Sequence, residues 1–275
     1  MVYVSVMDEQ SGLLDWKTGE TLGKELQAGY QAAAPFPHAV IDDFLPPAIL
    51  DEMLALWPEL SLGAEGMTFD RAQERFKSSY QPEAMPEAAR RLFYSFNSKP
   101  FIKLMENITG IKGLIPDPYF MGAGFHEIKQ GGHLSVHADF NHHVIMNLER
   151  RINVLIYLNK DWQSEFGGGL ELWDEKMTTL HHDIVPAFNR CVIFNTTSNS
   201  QHGNPQPVAH PQGISRKSIA LYYYTATWSE TKRAHTTQFQ VRPGSADKTD
   251  WAVKLGEIKD ELLPPILARK LNRFF

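Results

Sequence analysis

The chain holds a single cysteine, Cys191, so no intrachain disulfide can form and a disulfide-stapled scaffold is excluded. No apolar run approaches the ~18 residues that a membrane span needs. The opening stretch, MVYVSVMDEQ, has no basic residue and turns acidic at Asp8, so it does not read as a signal peptide. Positive charge is not in excess: 27 Lys and Arg stand against 32 Asp and Glu, a formal net charge of −5, which argues against nucleic acid as the main partner. There is no internal repeat and no low-complexity segment. Gly167–Gly168–Gly169 is followed by neither Lys nor Ser/Thr, so it reads as a tight turn and not as a phosphate loop. No Ser or Cys nucleophile stands in a triad pattern. Together these absences predict a cytoplasmic, reducing setting with no membrane and no nucleic-acid partner.

What remains is ordinary globular composition, 43% hydrophobic over 275 residues. We read it as one domain, 1–275, in three zones. Residues 1–117 form a mostly helical support. In DFLPPAILDEMLALWPEL, Pro46 and Pro47 open a helix whose stripe is Ile49, Leu50, Met53, Leu54 and Leu56, with Pro58 as its predicted end. Helical patterns follow in EAARRLFYSFN and in PFIKLMENITG, the latter capped by Gly110. Residues 118–228 alternate short β-rich runs with Gly, Asn and Pro, the pattern of an all-β sandwich or barrel. Residues 229–275 are an extension: a polar stretch at Arg242–Asp247, an amphipathic helix through Leu255, Ile258, Leu262 and Leu263, and the basic-aromatic tail ARKLNRFF.

Within the β zone, HLSVHADFN places His133, Ser135, His137 and Asp139 on one strand face by period-two alternation, with Leu134 and Val136 opposite. An imidazole and a carboxylate at i and i+2 grip one metal from one side. The motif alone is weak, since the chain holds a second copy in His181–His182–Asp183, where His181 and His182 read as exposed loop or strand-edge residues. What distinguishes the first is a distal histidine several strands downstream, His202, completing the two-histidine, one-carboxylate set of non-haem iron sites. A further histidine, His210, stands in the same connection, but Gly-Asn-Pro-Gln-Pro-Val after His202 favours His202. Arg216 and Ser218 then share one face of the strand SRKSIALYYYT and suit a carboxylate, the guanidinium as a fork and the hydroxyl as a third donor. Tyr157 reads as a barrel-core aromatic. His126, Tyr222 and Trp173 read as pocket lining or as core.

These residues, with IYLNKDW at 156–162, GGLELW at 168–173, PAFNR at 186–190 and, more loosely, PFPHAVIDDFL at 35–45, resemble the Fe(II)/2-oxoglutarate-dependent dioxygenase superfamily, and within it the prolyl 4-hydroxylase-like branch. The resemblance implies a mainly β fold with flanking helices around a double-stranded β-helix (jelly roll, cupin-like) core over 118–228. It implies Fe(II) on His137, Asp139 and His202, and 2-oxoglutarate held by Arg216, Ser218 and Tyr157. It implies O2 as the other co-substrate, and it admits ascorbate as reductant. The reaction would hydroxylate an unactivated C–H bond, with release of succinate and CO2. Related halogenases lack the carboxylate ligand, so Asp139 argues for hydroxylation. A peptidyl proline is the implied substrate, with a mouth left open for it. A free amino acid or natural product is the alternative, and a non-catalytic cupin-like metal-binding barrel is the alternative of another class. Oligomeric state is not legible.

Overall fold

The computed structural model describes residues 14, 16–63, 67–82, 85–229, 231–232, 234–245 and 247. The helix expected through Leu255, Ile258, Leu262 and Leu263, and the ARKLNRFF tail, lie outside these. In chain order the elements are α1 (Trp16–Ala32), β1 (His38–Ile41), α2 (Pro47–Gly63), β2 (Met67–Arg71), β3 (Glu74–Tyr80), α3 (Glu87–Phe96), α4 (Lys99–Thr109), β4 (Ile115–Pro116), β5 (Gly124–Ala138), β6 (His142–His143), β7 (Leu148–Tyr157), β8 (Leu170–Trp173), β9 (Leu180–Ile184), β10 (Cys191–Asn195), β11 (His202–Asn204), β12 (Arg216–Thr225) and β13 (Gln238–Phe239). Among the described residues no helix is long and apolar enough to cross a membrane.

The strands form one curled antiparallel sheet in the order β1-β10-β7-β12-β5-β11-β8-β9. Its curl comes from β5. The first half of β5, Gly124–Ile128, pairs with β12, and the second, from Leu134, pairs with β11. Gly131 at φ 76° and Gly132 lie between the halves, where the chain passes from one wall of the barrel to the other. This is the double-stranded β-helix with flanking helices.

Alternation sorts the strands into two faces. The outward residues Ile152, Val154, Ile156, Ile219, Leu221 and Tyr223 pack in one cluster with Leu50 and Met53 of α2, Phe93 and Phe96 of α3 and Phe101 and Leu104 of α4. Phe93 stands edge-on to Phe96, Phe120 and Phe125 at 5.1–6.0 Å between centroids. Truncating such a ring to alanine costs about 3–5 kcal/mol. The inward residues Tyr157, Leu170, Leu172, Val192 and Phe194 form a separate, smaller cluster.

One expected helix end is set by a local signal and another is not. Gly110 takes the left-handed conformation at φ 76° and ends α4, as its sequence position predicts. Pro58 does not end α2, which runs on to Gly63. A proline removes one N–H bond from a helix, and the turns before it are already anchored by buried Leu50, Met53 and Trp57. The N-terminal zone also supplies strands. β1 pairs with β10, and the β2–β3 hairpin lies along β5.

Candidate active site

His137 stands near the end of β5, and Asp139 follows directly. His202 opens β11, in register opposite His137. One ligand atom from each lies within 4.8 Å of the others, and among the described residues this is the group of histidine, cysteine and carboxylate side chains placed to hold a metal ion. The imidazole orientations are fixed from behind. His137 Nδ1 donates to Ser135 O at 2.8 Å, and His202 Nδ1 donates to Ser200 O at 2.9 Å. A carbonyl only accepts, so both Nδ1 atoms carry a proton, and the Nε2 atoms are the ones turned towards a metal. Those Nε2 atoms face Asp139, at 3.4 Å from Oδ1 and 3.3 Å from Oδ2. This donor set, two imidazole nitrogens and a carboxylate, fits Fe(II). His210 is elsewhere, packed between the rings of Trp162 and Phe166. His181 and His182 are exposed on β9.

The close approach of β11 to β5 depends on Gly203. A Cβ there would lie 2.8–2.9 Å from Ser135 O, Leu134 O and Val136 Cα. The register slips at this point, so Leu134 and His137 both line the cavity. The strict alternation expected for HLSVHADF, with Leu134 facing away, is therefore broken by a bulge.

Asp139 has partners that strand alternation did not reveal. Arg150 Nη2 lies 3.1 Å from its Oδ2, and Asn153 Nδ2 donates to the same oxygen at 2.7 Å. Arg150 is itself buried, bonded to Asn153 Oδ1 and set over the rings of Tyr222 and Phe140 at 3.6 and 4.3 Å. Burial works to raise the Asp139 carboxyl, but Arg150 and the histidines outweigh it and hold it well below the usual carboxylate range. Burial lowers the His137 imidazole, which keeps it neutral.

Next to this cluster is an 80 Å³ cavity lined by Arg216, Ser218, His126, Asn204 and Leu155 as well as the three ligands. Arg216 is buried, and its Nε donates to Gly168 O at 2.7 Å. Its guanidinium lies 4.9 Å from the centroid of the Tyr157 ring. Ser218 stands opposite Tyr157 on β7 and opposite His126 on β5, so all three share the inner face. The Tyr157 hydroxyl is fully buried with no hydrogen-bond partner among the described residues. Burial pushes that phenol up against the opposing influence of Arg216. A buried cation with no carboxylate on it among the described residues, beside such a hydroxyl, fits a carboxylate ligand. Lys217, one residue on, turns outward to Glu127 and the Trp57 ring.

A 170 Å³ chamber opens on the other side of Asp139, walled by His126, Tyr222, Phe140 and Arg150, by the β2–β3 hairpin and by Thr237. Trp173 takes no part; it lies under Arg242 and donates to Glu171. Phe239 of β13 packs on His137 and Phe194 on His202, and both imidazoles are buried.

Residues 123–224 match the family model of the 2OG-Fe(II) oxygenase superfamily. Among curated protein sequences none matches the chain. Among solved structures, the chain is similar to a Trichoplax adhaerens prolyl hydroxylase in complex with a hypoxia inducible factor peptide fragment, at 19% identity and TM-score 0.56, covering 76% of this chain and 91% of that one. It is similar to a prolyl 4-hydroxylase from Phytophthora capsici at 16% identity and TM-score 0.51, covering 94% and 79%. It is also similar to SnoN, a non-heme alpha-ketoglutarate-dependent epimerase of nogalamycin biosynthesis, at 12% identity and TM-score 0.53, covering 81% and 97%. At these identities the likeness is one of fold.

Proposed function

We propose that this chain hydroxylates an unactivated C–H bond of a peptidyl substrate, with proline as the reacting residue, and converts 2-oxoglutarate to succinate and CO2 as it does so. One observation carries the reading. Two imidazoles donating from Nδ1 converge on Asp139, beside a cavity whose buried cation, Arg216, has no acid paired with it among the described residues. Fe(II), when bound by His137, Asp139 and His202, supplies the dioxygen chemistry. The chain's own residues do the rest. Arg216, Ser218 and the Tyr157 hydroxyl bind and orient the distal carboxylate of 2-oxoglutarate. Phe194 and Phe239 exclude water from the ligands. Arg150 and Asn153 hold the Asp139 carboxylate in place.

The bound peptide fragment named for the Trichoplax adhaerens structure supports a peptidyl substrate. So does the chamber. Its hairpin wall carries Arg71, Glu74 and Lys77, but Glu74 already pairs with both cations, so they do not call for a zwitterionic amino acid. A merely metal-storing barrel has no use for the Arg216 clamp.

The test is mass spectrometry of proline-containing peptides incubated with the chain, Fe(II) and 2-oxoglutarate. A peptide that gains one oxygen atom, with one succinate formed per oxygen, supports the reading. Hydroxylation of free amino acids with no peptide modified overturns it.

A further inference from the structure

The reaction chamber does not end at its own walls. Gly122, Phe140 and Thr237 line it, and the same three residues line a second, more open groove of 420 Å³. The other groove walls are Met121, His142 and Val144 on one side, and Ala234, His235 and Thr236 on the other. Phe140 and His142 stand two residues apart on the run into β6, Val144 opens the turn that follows it, and all three line the groove.

Both walls are held in place. Buried His143 pairs with Asp117 at 3.2 Å and accepts a hydrogen bond from Met146 N. The His142 ring stacks on Trp228 at 4.2 Å. Opposite, His235 N donates to Asn141 Oδ1 at 2.9 Å, and its ring bonds Ser198 Oγ. Yet the apolar residues of the same loop stay in water: Val144 is 74% exposed and Ile145 63%. A loop whose polar groups are fastened while its large apolar side chains face solvent is a surface preorganised for contact.

We infer that this groove docks the residues flanking the reacting one in a peptide substrate, and that it selects an extended segment with a bulky, uncharged apolar side chain. The inference rests on the peptidyl reading above. Continuity decides the occupant. A free amino acid would fill the chamber and leave the groove in water, whereas a chain threaded past Asp139 must leave the chamber by way of Phe140 and Thr237. Among the described residues no Asp, Glu, Lys or Arg lines the groove, so charged flanking residues gain nothing from them.

The experiment uses the full chain with Fe(II), 2-oxoglutarate and three peptides that differ only in the residues beside a central proline: leucines, alanines or aspartates. The KM is expected to be about tenfold lower for the leucine peptide than for the aspartate peptide. Val144→Asp raises the leucine-peptide KM by a similar factor, whereas Leu180→Asp on the distant strand β9 does not. A benzophenone side chain installed at position 144 captures the leucine peptide on irradiation. Equal KM values for the three peptides, unmoved by Val144→Asp, overturn the groove and leave the peptidyl reading standing. So does capture of residues 248–275 or of a second copy in place of the peptide. Turnover of 2-oxoglutarate with none of the peptides hydroxylated overturns both.

Discussion

Arg150 Nη2 lies 3.1 Å from Asp139 Oδ2, so the carboxylate of the metal cluster sits on a buried guanidinium. Asn153 donates to the same oxygen, and the pair holds Asp139 from behind the ligand face. Removing one partner of a buried ion pair costs about 3–5 kcal/mol. Outer partners of metal ligands are worth about 10–100-fold in affinity. Arg150→Ala is therefore expected to lower both urea stability and Mn(II) affinity, and Asn153→Ala to lower affinity with less cost to stability. Unchanged Mn(II) affinity in both variants would show that Asp139 needs no such support.

The reason Arg150 escaped the sequence is physical. It stands in Glu149–Arg150–Arg151, which reads as a solvated charge run. Alternation from Asn153, Leu155 and Tyr157 points Arg151 inward and Arg150 outward. A bulge reverses this: Ile152 pairs with Tyr223, but the neighbouring Tyr224 pairs with Arg150, leaving Arg151 over. His137, Asp139, His202, Arg216 and Ser218 were legible because their types and spacings carry chemistry directly. The β2–β3 hairpin was not, because its turn, Ala72–Gln73, holds none of Gly, Pro, Asn or Asp. Helix α1 was masked by Gly19, Gly23 and Gly29, poor helix formers. Gly23 is there for packing on α4, since a Cβ would meet that of Asn107 at 2.7 Å.

Gly203→Ala tests how closely the two histidine strands must approach. The added methyl would meet two backbone carbonyl oxygens at 2.8–2.9 Å, which no side-chain rotation relieves. Pushing β11 away moves His202 from His137, so metal affinity is expected to fall while the outer helices stay folded by circular dichroism. Affinity equal to that of the unaltered chain would mean the sheet can spread without moving the ligands.

Arg216 and Lys217 are adjacent and point to opposite faces. Loss of a buried charged partner for a carboxylate costs about 2–5 kcal/mol, so Arg216→Ala is expected to raise the KM for 2-oxoglutarate roughly thirtyfold or more. Lys217→Ala breaks outer contacts with Glu127, Ser215 and the Trp57 ring and leaves that KM alone. Equal effects of the two substitutions would contradict the placement of the clamp.

His126 sets an acid limit on stability. Burial, then the nearby cation Lys77, pushes its pKa down to about 3, while Nε2 donates to Gly122 O. An unfolded histidine titrates near 6.5. Between these values the unfolded chain binds a proton that the folded chain refuses, so stability falls as pH drops below about 6.5 and continues to fall towards 3. His126→Gln keeps a donor without the titration, and its acid-unfolding midpoint is expected at lower pH. Identical acid transitions would show that His126 is not the group responsible.

The most direct test of the account as a whole is 2-oxoglutarate turnover, followed as succinate, with Fe(II) added to the unaltered chain and to His137→Ala, Asp139→Ala, His202→Ala and His210→Ala. The account predicts Fe(II)-dependent succinate from the unaltered chain and from His210→Ala, and none from the other three. Succinate from His202→Ala but not from His210→Ala, or from a chain lacking Asp139, would contradict it.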